Sequence, residues 1–222
     1  MTERFTLLDS FAALATHYGA RAFGGEDWHE NYNIAPKQWI PVLVEEPDGL
    51  ELRLMQWGLV PFWAKADKIG ASMINAPIET LTEKPGFRDS FKDKRCIIPA
   101  TGFYVWQKLS TVKKPYYVTG NGLLSFAGLW SRWVSPQGVE LESCAIVTMP
   151  ANEMVKPVSD RMPALLPKSA WQPWLAKATR AHELVPLLAV LQAKDTVMTA
   201  VTKYVNAAKS SGAKCIAPTD QA

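Results

Sequence analysis

The sequence predicts an α+β fold, a mixed or antiparallel curved β-sheet core with short helices packed around it. Short apolar runs broken by turn residues fill the first two thirds of the chain, and helical periodicity is confined to a few stretches. With 222 residues, 48% of them hydrophobic, the chain can bury a sizeable core, expected here as one domain over 1–222.

Ser10 is placed to cap a helix through about Tyr18. Phe11, Leu14 and Ala15 fall on one face of that helix and Gly19 lies past its end. Residues 39–44 and 50–55 flank Glu46-Pro47-Asp48-Gly49, where the proline presets φ and the glycine permits a tight reversal, so a hairpin is expected. Further strands are expected over 96–99, 103–107, 115–118, 123–129 and 144–148, with Gly120-Asn121-Gly122 as a second hairpin turn. Asn152 and Ser169 each precede a candidate short helix, the second despite Pro173. Residues 182–192 read as either helix or linker because Pro186 interrupts an apolar run. Residues 197–205 read as a last strand or two, followed by an irregular tail.

A formal charge of +3 is too mild to argue for a general polyanion binder, although a local basic groove remains open. Cys96, Cys144 and Cys215 are widely spaced, odd in number and lack a CxxC pair. That pattern opposes a disulfide framework or structural zinc and suits three reduced, buried thiols. His17, His29 and His182 lie far apart, so neither metal nor cofactor is expected. Phosphate-loop, dinucleotide, serine-elbow and HExxH signatures are all absent from the sequence. Glu3 and Arg4 interrupt the start of the chain, which carries no long apolar run, so a cytoplasmic monomer is expected.

One set of motifs is more specific. Residues 57–63 (WGLVPFW), 74–80 (INAPIET) and 97–106 (IIPATGFYVW) stand in order, with Arg4-Phe5, 32–36 (YNIAP), 126–130 (FAGLW), 160–163 (DRMP) and 201–206 around them. In this order they resemble the SOS response-associated peptidase family, the abasic-site processing proteins, over nearly the whole chain. The resemblance implies removal of the initiator methionine and attack by a position-two cysteine on the ring-opened aldehyde of an abasic site in single-stranded DNA. In that chemistry the α-amine forms a Schiff base and the thiol closes a thiazolidine. An α-amine, with its pKa near 8, suits imine formation at neutral pH better than a lysine does.

Carried over by that resemblance, Asn75 is the pocket asparagine, and Arg4 and Arg161 are phosphate-contacting arginines. Phe62 and Trp63 form a base-stacking aromatic pair, and Asn33 and Pro36 join the DNA-contacting set. The reactive groups differ. Thr2 replaces the cysteine, Glu3 the next glycine, Val105 the glutamate, Ser159 the histidine and Pro77 a DNA-contacting arginine. Val105 cannot carry a proton and Ser159 titrates far from neutrality. Each missing acid–base group is worth roughly 10²–10⁴-fold.

Bland readings stand beside these. Asn75 also suits a strand end satisfying its own backbone, the tryptophans suit a core, and Arg161 suits a surface ion pair with Asp160. The cluster Lys92, Lys94 and Arg95 suits either a solvated face or a phosphate track. The leading expectation is a degenerate family member that binds single-stranded or abasic DNA without a durable crosslink. The alternatives are a slow lyase acting through the α-amine of Thr2, and a protein-interaction module that has shed DNA binding.

Overall fold

A computed structural model describes residues 2–109 and 112–219. In chain order the elements are β1 (Phe5–Leu7), α1 (Phe11–Tyr18), β2 (Arg21–Ala22), β3 (Asn31–Ile34), β4 (Trp39–Glu46), β5 (Gly49–Trp57), β6 (Asn75–Pro77) and α2 (Pro85–Asp93). Then come β7 (Arg95–Ala100), β8 (Gly102–Leu109), β9 (Val112–Thr119), β10 (Leu124–Val134), β11 (Glu140–Pro150), β12 (Arg161–Pro163), α3 (Trp171–Leu175), α4 (Ala181–Leu184) and β13 (Val197–Ala200).

The strands form a five-stranded sheet in the order β13-β9-β8-β1-β3 and an eight-stranded one in the order β12-β11-β10-β7-β4-β5-β2, with β6 beside β11. Within the larger sheet, β11 also pairs with β5 in parallel through Ser143↔Gln56 and Cys144↔Trp57. That contact closes β5, β4, β7, β10 and β11 into a ring, a partial barrel. Alternation along each strand assigns the faces. Val42, Trp57, Cys96, Ile98, Phe126, Cys144 and Ile146 share the inner face, and all are fully buried. Phe5 of the smaller sheet packs edge-on against Trp57 at 5.1 Å and Phe126 at 6.0 Å, joining the two sheets in one core.

Local chemistry explains the elements that the sequence foretold. Ser10 Oγ accepts from Ala13 N at 3.2 Å, Gly19 takes φ 64°, and Phe11, Leu14, Ala15 and Tyr18 are buried. The first hairpin pairs Glu46 with Gly49 around Pro47-Asp48, with Gly49 at φ 115°. All three cysteines are free and buried, and burial pushes the Cys96 and Cys144 thiols up from their ordinary values. No helix is long and apolar enough to cross a membrane.

Other expectations are corrected. Gly120-Asn121-Gly122 does not close a hairpin: β9 and β10 belong to different sheets, and the turn passes the chain between them. Besides β4–β5, consecutive strands pair as hairpins at β8–β9 and β10–β11, whose strands run longer than their apolar cores. Asn152 caps only a turn, with Oδ1 accepting from Val155 N at 2.9 Å, and no helix follows. Ser169 sits inside a 3-10 turn rather than capping α3. After β13, residues 203–206 and 213–216 form 3-10 turns, and Cys215 is buried against Tyr104, Val201 and Val205, so the segment through residue 216 packs onto the fold instead of running as an irregular tail.

Helix α2 has no counterpart among the expected elements. Pro85 opens it at the first turn, and Phe87 and Phe91 bury one side. The basic cluster beside it divides. Arg95 is buried, its guanidinium donating to the carbonyls of Trp174 (2.6 Å), Phe91 (2.8 Å) and Ala176 (2.6 Å) and also to that of Lys92, while burial draws it down from its ordinary value. Such a residue is a structural clasp and no phosphate track. Lys94 instead lies over the Trp130 ring at 5.2 Å.

Candidate nucleic-acid interface

The start of the chain and the start of β6 meet. Asn75 is held beside β11 through the pair Ile146↔Asn75, and the preceding carbonyl of Ile74 accepts from Ile146 N (3.1 Å) and Trp57 Nε1 (2.9 Å). Fixed there, Asn75 Nδ2 donates to the Thr2 carbonyl at 2.7 Å. Both residues are buried, and Thr2 Oγ1 and Asn75 Oδ1 have no hydrogen-bond partner among the described residues. Two orphaned polar atoms in one niche are costly unless a further group fills it.

Next to this niche opens a cleft of about 510 Å³, lined by Glu3, Trp106, Lys113, Lys156, Ser159 and Asp160 among others. Tyr104 N donates to the Arg4 carbonyl at 3.1 Å, so Val105 follows alongside Glu3. Val105 itself is buried in the core. Ser159 Oγ donates to the Arg161 carbonyl at 2.8 Å and thereby shapes the turn into β12. Thus Thr2, Asn75, Val105 and Ser159, far apart in sequence, gather around one end of β1, while two acids and two lysines balance charge at the mouth.

The arginines are less free than the sequence suggests. Arg4 is half-buried, its Nη1 reaching the Val205 carbonyl at 3.4 Å, and burial lowers it from its ordinary value while Glu3 opposes that shift. Arg161 pairs with Glu79 rather than Asp160, its Nη1 donating to Glu79 Oε1 at 2.8 Å and its Nη2 to the Thr148 carbonyl at 2.5 Å. Because Pro77 faces Thr148 in the β6–β11 register, this clamp stands two residues along from Asn75. The Arg161 hydrogen bond, foremost, holds the Glu79 carboxyl below its usual range. Sequence spacing offered no sign of this pair.

Glu79→Gln is expected to leave stability within about 1 kcal/mol, since the pair is largely solvent-screened. It should also free the Arg161 guanidinium to meet an anion, so that any polyanion bound here gains roughly 0.7 in log–log salt slope, one phosphate's worth, measured by anisotropy titration. The pH effect runs the same way. A depressed carboxylate contributes its stabilisation above the ordinary pKa and loses it as pH falls through the lowered one, so acidification releases Arg161 only below the usual carboxylate range.

Asn33 is buried and turned inward, its Nδ2 donating to the carbonyls of Ala207 and Ser210, both at 3.0 Å. Pro36, partly buried, leads into the turn at Lys37, whose N–H donates to the Trp57 carbonyl at 2.7 Å. Phe62 and Trp63 are 58% and 48% exposed, large for such side chains. Their loop is nonetheless pinned, because Val60 N donates to Ser143 Oγ at 2.8 Å and Trp133 Nε1 to the Ala64 carbonyl at 2.6 Å. Among the described residues no cluster of three or more His, Cys, Asp or Glu is placed to hold a metal ion.

Residues 1–208 match the family model described as SOS response associated peptidase (SRAP). The chain belongs to the SRAP family. Abasic site processing protein YoqW of Bacillus subtilis (strain 168) is 38% identical over 221 residues, covering 97% of this chain and 99% of that protein. Abasic site processing protein HMCES of Xenopus tropicalis is 32% identical over 173 residues, covering 64% of this chain and 52% of that one. Among solved structures, a protein from Bacteroides thetaiotaomicron superposes with a TM-score of 0.88 at 24% identity, covering 97% of this chain and 99% of that chain. A phage-related protein from Bordetella bronchiseptica superposes with a TM-score of 0.73 at 26% identity, covering 98% and 100%. The partial barrel with its few short helices is thus the SRAP fold.

Proposed function

We propose that this SRAP protein acts in DNA damage processing by binding single-stranded DNA at abasic sites, as one domain and without forming a durable covalent bond. The observation that carries the reading is the buried contact of Asn75 with Thr2. The pocket asparagine keeps its hold on the start of the chain, yet the residue held there has a hydroxyl where the resemblance calls for a thiol. Valine at 105 and serine at 159 remove the proton carriers from the same neighbourhood. Recognition remains supported by the exposed pair Phe62 and Trp63 on a pinned loop, since any base can stack on an aromatic face.

Binding of the intact protein to an abasic oligonucleotide in a native gel tests this. Trp63→Ala and Phe62→Ala are each expected to weaken it by about tenfold, from a stacking contribution of roughly 1–3 kcal/mol per base, with thermal melting unchanged. Unaltered affinity in both variants, or no binding at low salt, counts against it.

A second reading has one observation in its favour. The orphaned Thr2 Oγ1 and Asn75 Oδ1 leave a polar niche that a freed α-ammonium at Thr2 would complete. Its unprotonated amine would then condense with the aldehyde to a hydrolysable imine, releasing water. Borohydride trapping of a protein–DNA adduct supports this reading, and retention of Met1 in intact-mass measurement eliminates it.

A further inference from the structure

Two residues outside the matched motifs, Lys37 and Trp39, lie at the start of β4, beside the end of β5 that leads into the Phe62–Trp63 loop. Lys37 is the one non-glycine residue among those described whose φ is positive, at 71°. A lysine there is uncommon, because its Cβ crowds the backbone in the left-handed region. The turn is nevertheless firmly tied, Lys37 N donating to the Trp57 carbonyl at 2.7 Å and Trp57 N to the Gln38 carbonyl at 2.9 Å. The lysine side chain is exposed, and Trp39, two residues on, is 50% exposed.

The strand register places Trp39 relative to the loop. Trp39 pairs with Gln56 across β4 and β5, and Gln56 pairs with Ser143 across β5 and β11. Directly opposed residues project to the same face of a sheet, so Trp39, Gln56 and Ser143 form one row on the outside of the ring. Ser143 Oγ is the atom that receives Val60 N and holds the Phe62–Trp63 loop on that outer face. Trp39 therefore lies two strand spacings, about 10 Å, from the loop's anchor and on the same side. Just past the loop in sequence Lys65 and Lys68 are exposed beside the exposed acid Asp67, and Lys37 is exposed at the start of β4. Exposed aromatic faces interleaved with lysines suit a flexible polyanion with stackable bases better than an apolar peptide.

We propose that Lys37 and Trp39 form a second stacking station for single-stranded DNA, extending the track beyond Phe62 and Trp63 so that the protein grips undamaged nucleotides flanking the lesion. This rests on the DNA-binding reading above. In it Trp39 stacks a base and Lys37 takes a neighbouring phosphate. Neither residue touches the niche at Asn75.

Anisotropy titrations with labelled oligothymidylates of about 5 and about 12 nucleotides, lengths within the usual range of site sizes, separate the possibilities. Trp39→Ala is expected to weaken the longer ligand about tenfold and the shorter by less than about twofold, while Trp63→Ala weakens both. Lys37→Gly is expected to reduce the salt slope for the longer ligand by roughly 0.7. Because glycine accepts a positive φ readily, that variant should melt no lower than the parent, so its lost affinity cannot be ascribed to misfolding. If the parent binds both ligands and Trp39→Ala and Lys37→Gly bind the longer one equally well, the second station is overturned while the DNA-binding reading survives. If the parent binds neither, the reading itself fails and the station with it. A parent dimer that Trp39→Ala converts to monomer in sedimentation, with DNA affinity unchanged, assigns this face to self-association and overturns the proposal.

Discussion

Mixed with an abasic single-stranded oligonucleotide, the protein is expected to leave no adduct that survives heating in denaturant. The triple variant Thr2→Cys/Val105→Glu/Ser159→His is expected to leave one in high yield. An oxazolidine closed by the Thr2 hydroxyl hydrolyses far more readily than a thiazolidine, so capture by the parent would be reversible. Restoring sulfur alone should give slow, partial trapping, because each proton carrier contributes roughly 10²–10⁴-fold. The three positions lie around one end of β1, with Thr2 on Asn75, Val105 alongside Glu3 and Ser159 on the wall of the cleft. Val105 is fully buried, so a glutamate there must find the cleft or a hydrogen bond to avoid an unpaired buried charge. Melting curves of Val105→Glu alone measure that cost. A heat-stable adduct from the parent in high yield contradicts the reading outright.

What the residues disclosed beforehand, and what they concealed, follows from how locally each feature is determined. Helix α1 was legible because its cap, apolar spacing and terminal glycine are all local. The β4–β5 hairpin was legible because two turn residues fix its register. Gly120-Asn121-Gly122 misled because a glycine-rich turn dictates a reversal but not which sheet receives the next strand. Helix α2 escaped notice because Phe87 and Phe91 are its only buried apolar residues and charged residues dilute the pattern. At the site, the fold brings together Thr2 and Asn75, two positions that the resemblance singled out. The motifs were silent on the partner of Arg161, which spacing would pair with its neighbour Asp160, whereas the fold brings up Glu79 from the turn after β6. Asn33, which the resemblance assigned to the DNA-contacting set, instead turns its side chain to the C-terminal segment, and Arg95, read as solvated face or phosphate track, spends its charge on carbonyls. Long-range partners of long polar side chains are set by topology, and no local pattern encodes them.

Gly58→Ala is expected to lower stability by about 3 kcal/mol or more, a fall in melting temperature of roughly 6–12 °C for a chain of this size. Two separate reasons combine. Gly58 has φ 125°, which L side chains rarely adopt, and an added Cβ would lie 2.6 Å from the Gly70 carbonyl oxygen. Reciprocally, a Cβ at Gly70 would lie 2.5 Å from the Gly58 carbonyl oxygen, so two backbones cross here with room for hydrogen only. Gly49→Ala provides the control, since its φ of 115° is equally awkward but the space around it is open. That variant should lose only the conformational part, about 1 kcal/mol. The crossing also positions the aromatic loop, because Gly58 N bonds the Cys144 carbonyl (2.8 Å) and Leu59 N the Met73 carbonyl (3.1 Å) immediately before the loop that carries Phe62 and Trp63. Forcing the two backbones apart should therefore loosen that loop as well as the core. Gly58→Ala is expected to weaken single-stranded DNA binding at temperatures where it remains folded, and Gly49→Ala to leave it unchanged. Equal melting temperatures for the two variants would mean that the close approach at Gly70 relaxes freely, and that the aromatic loop is not held from this point.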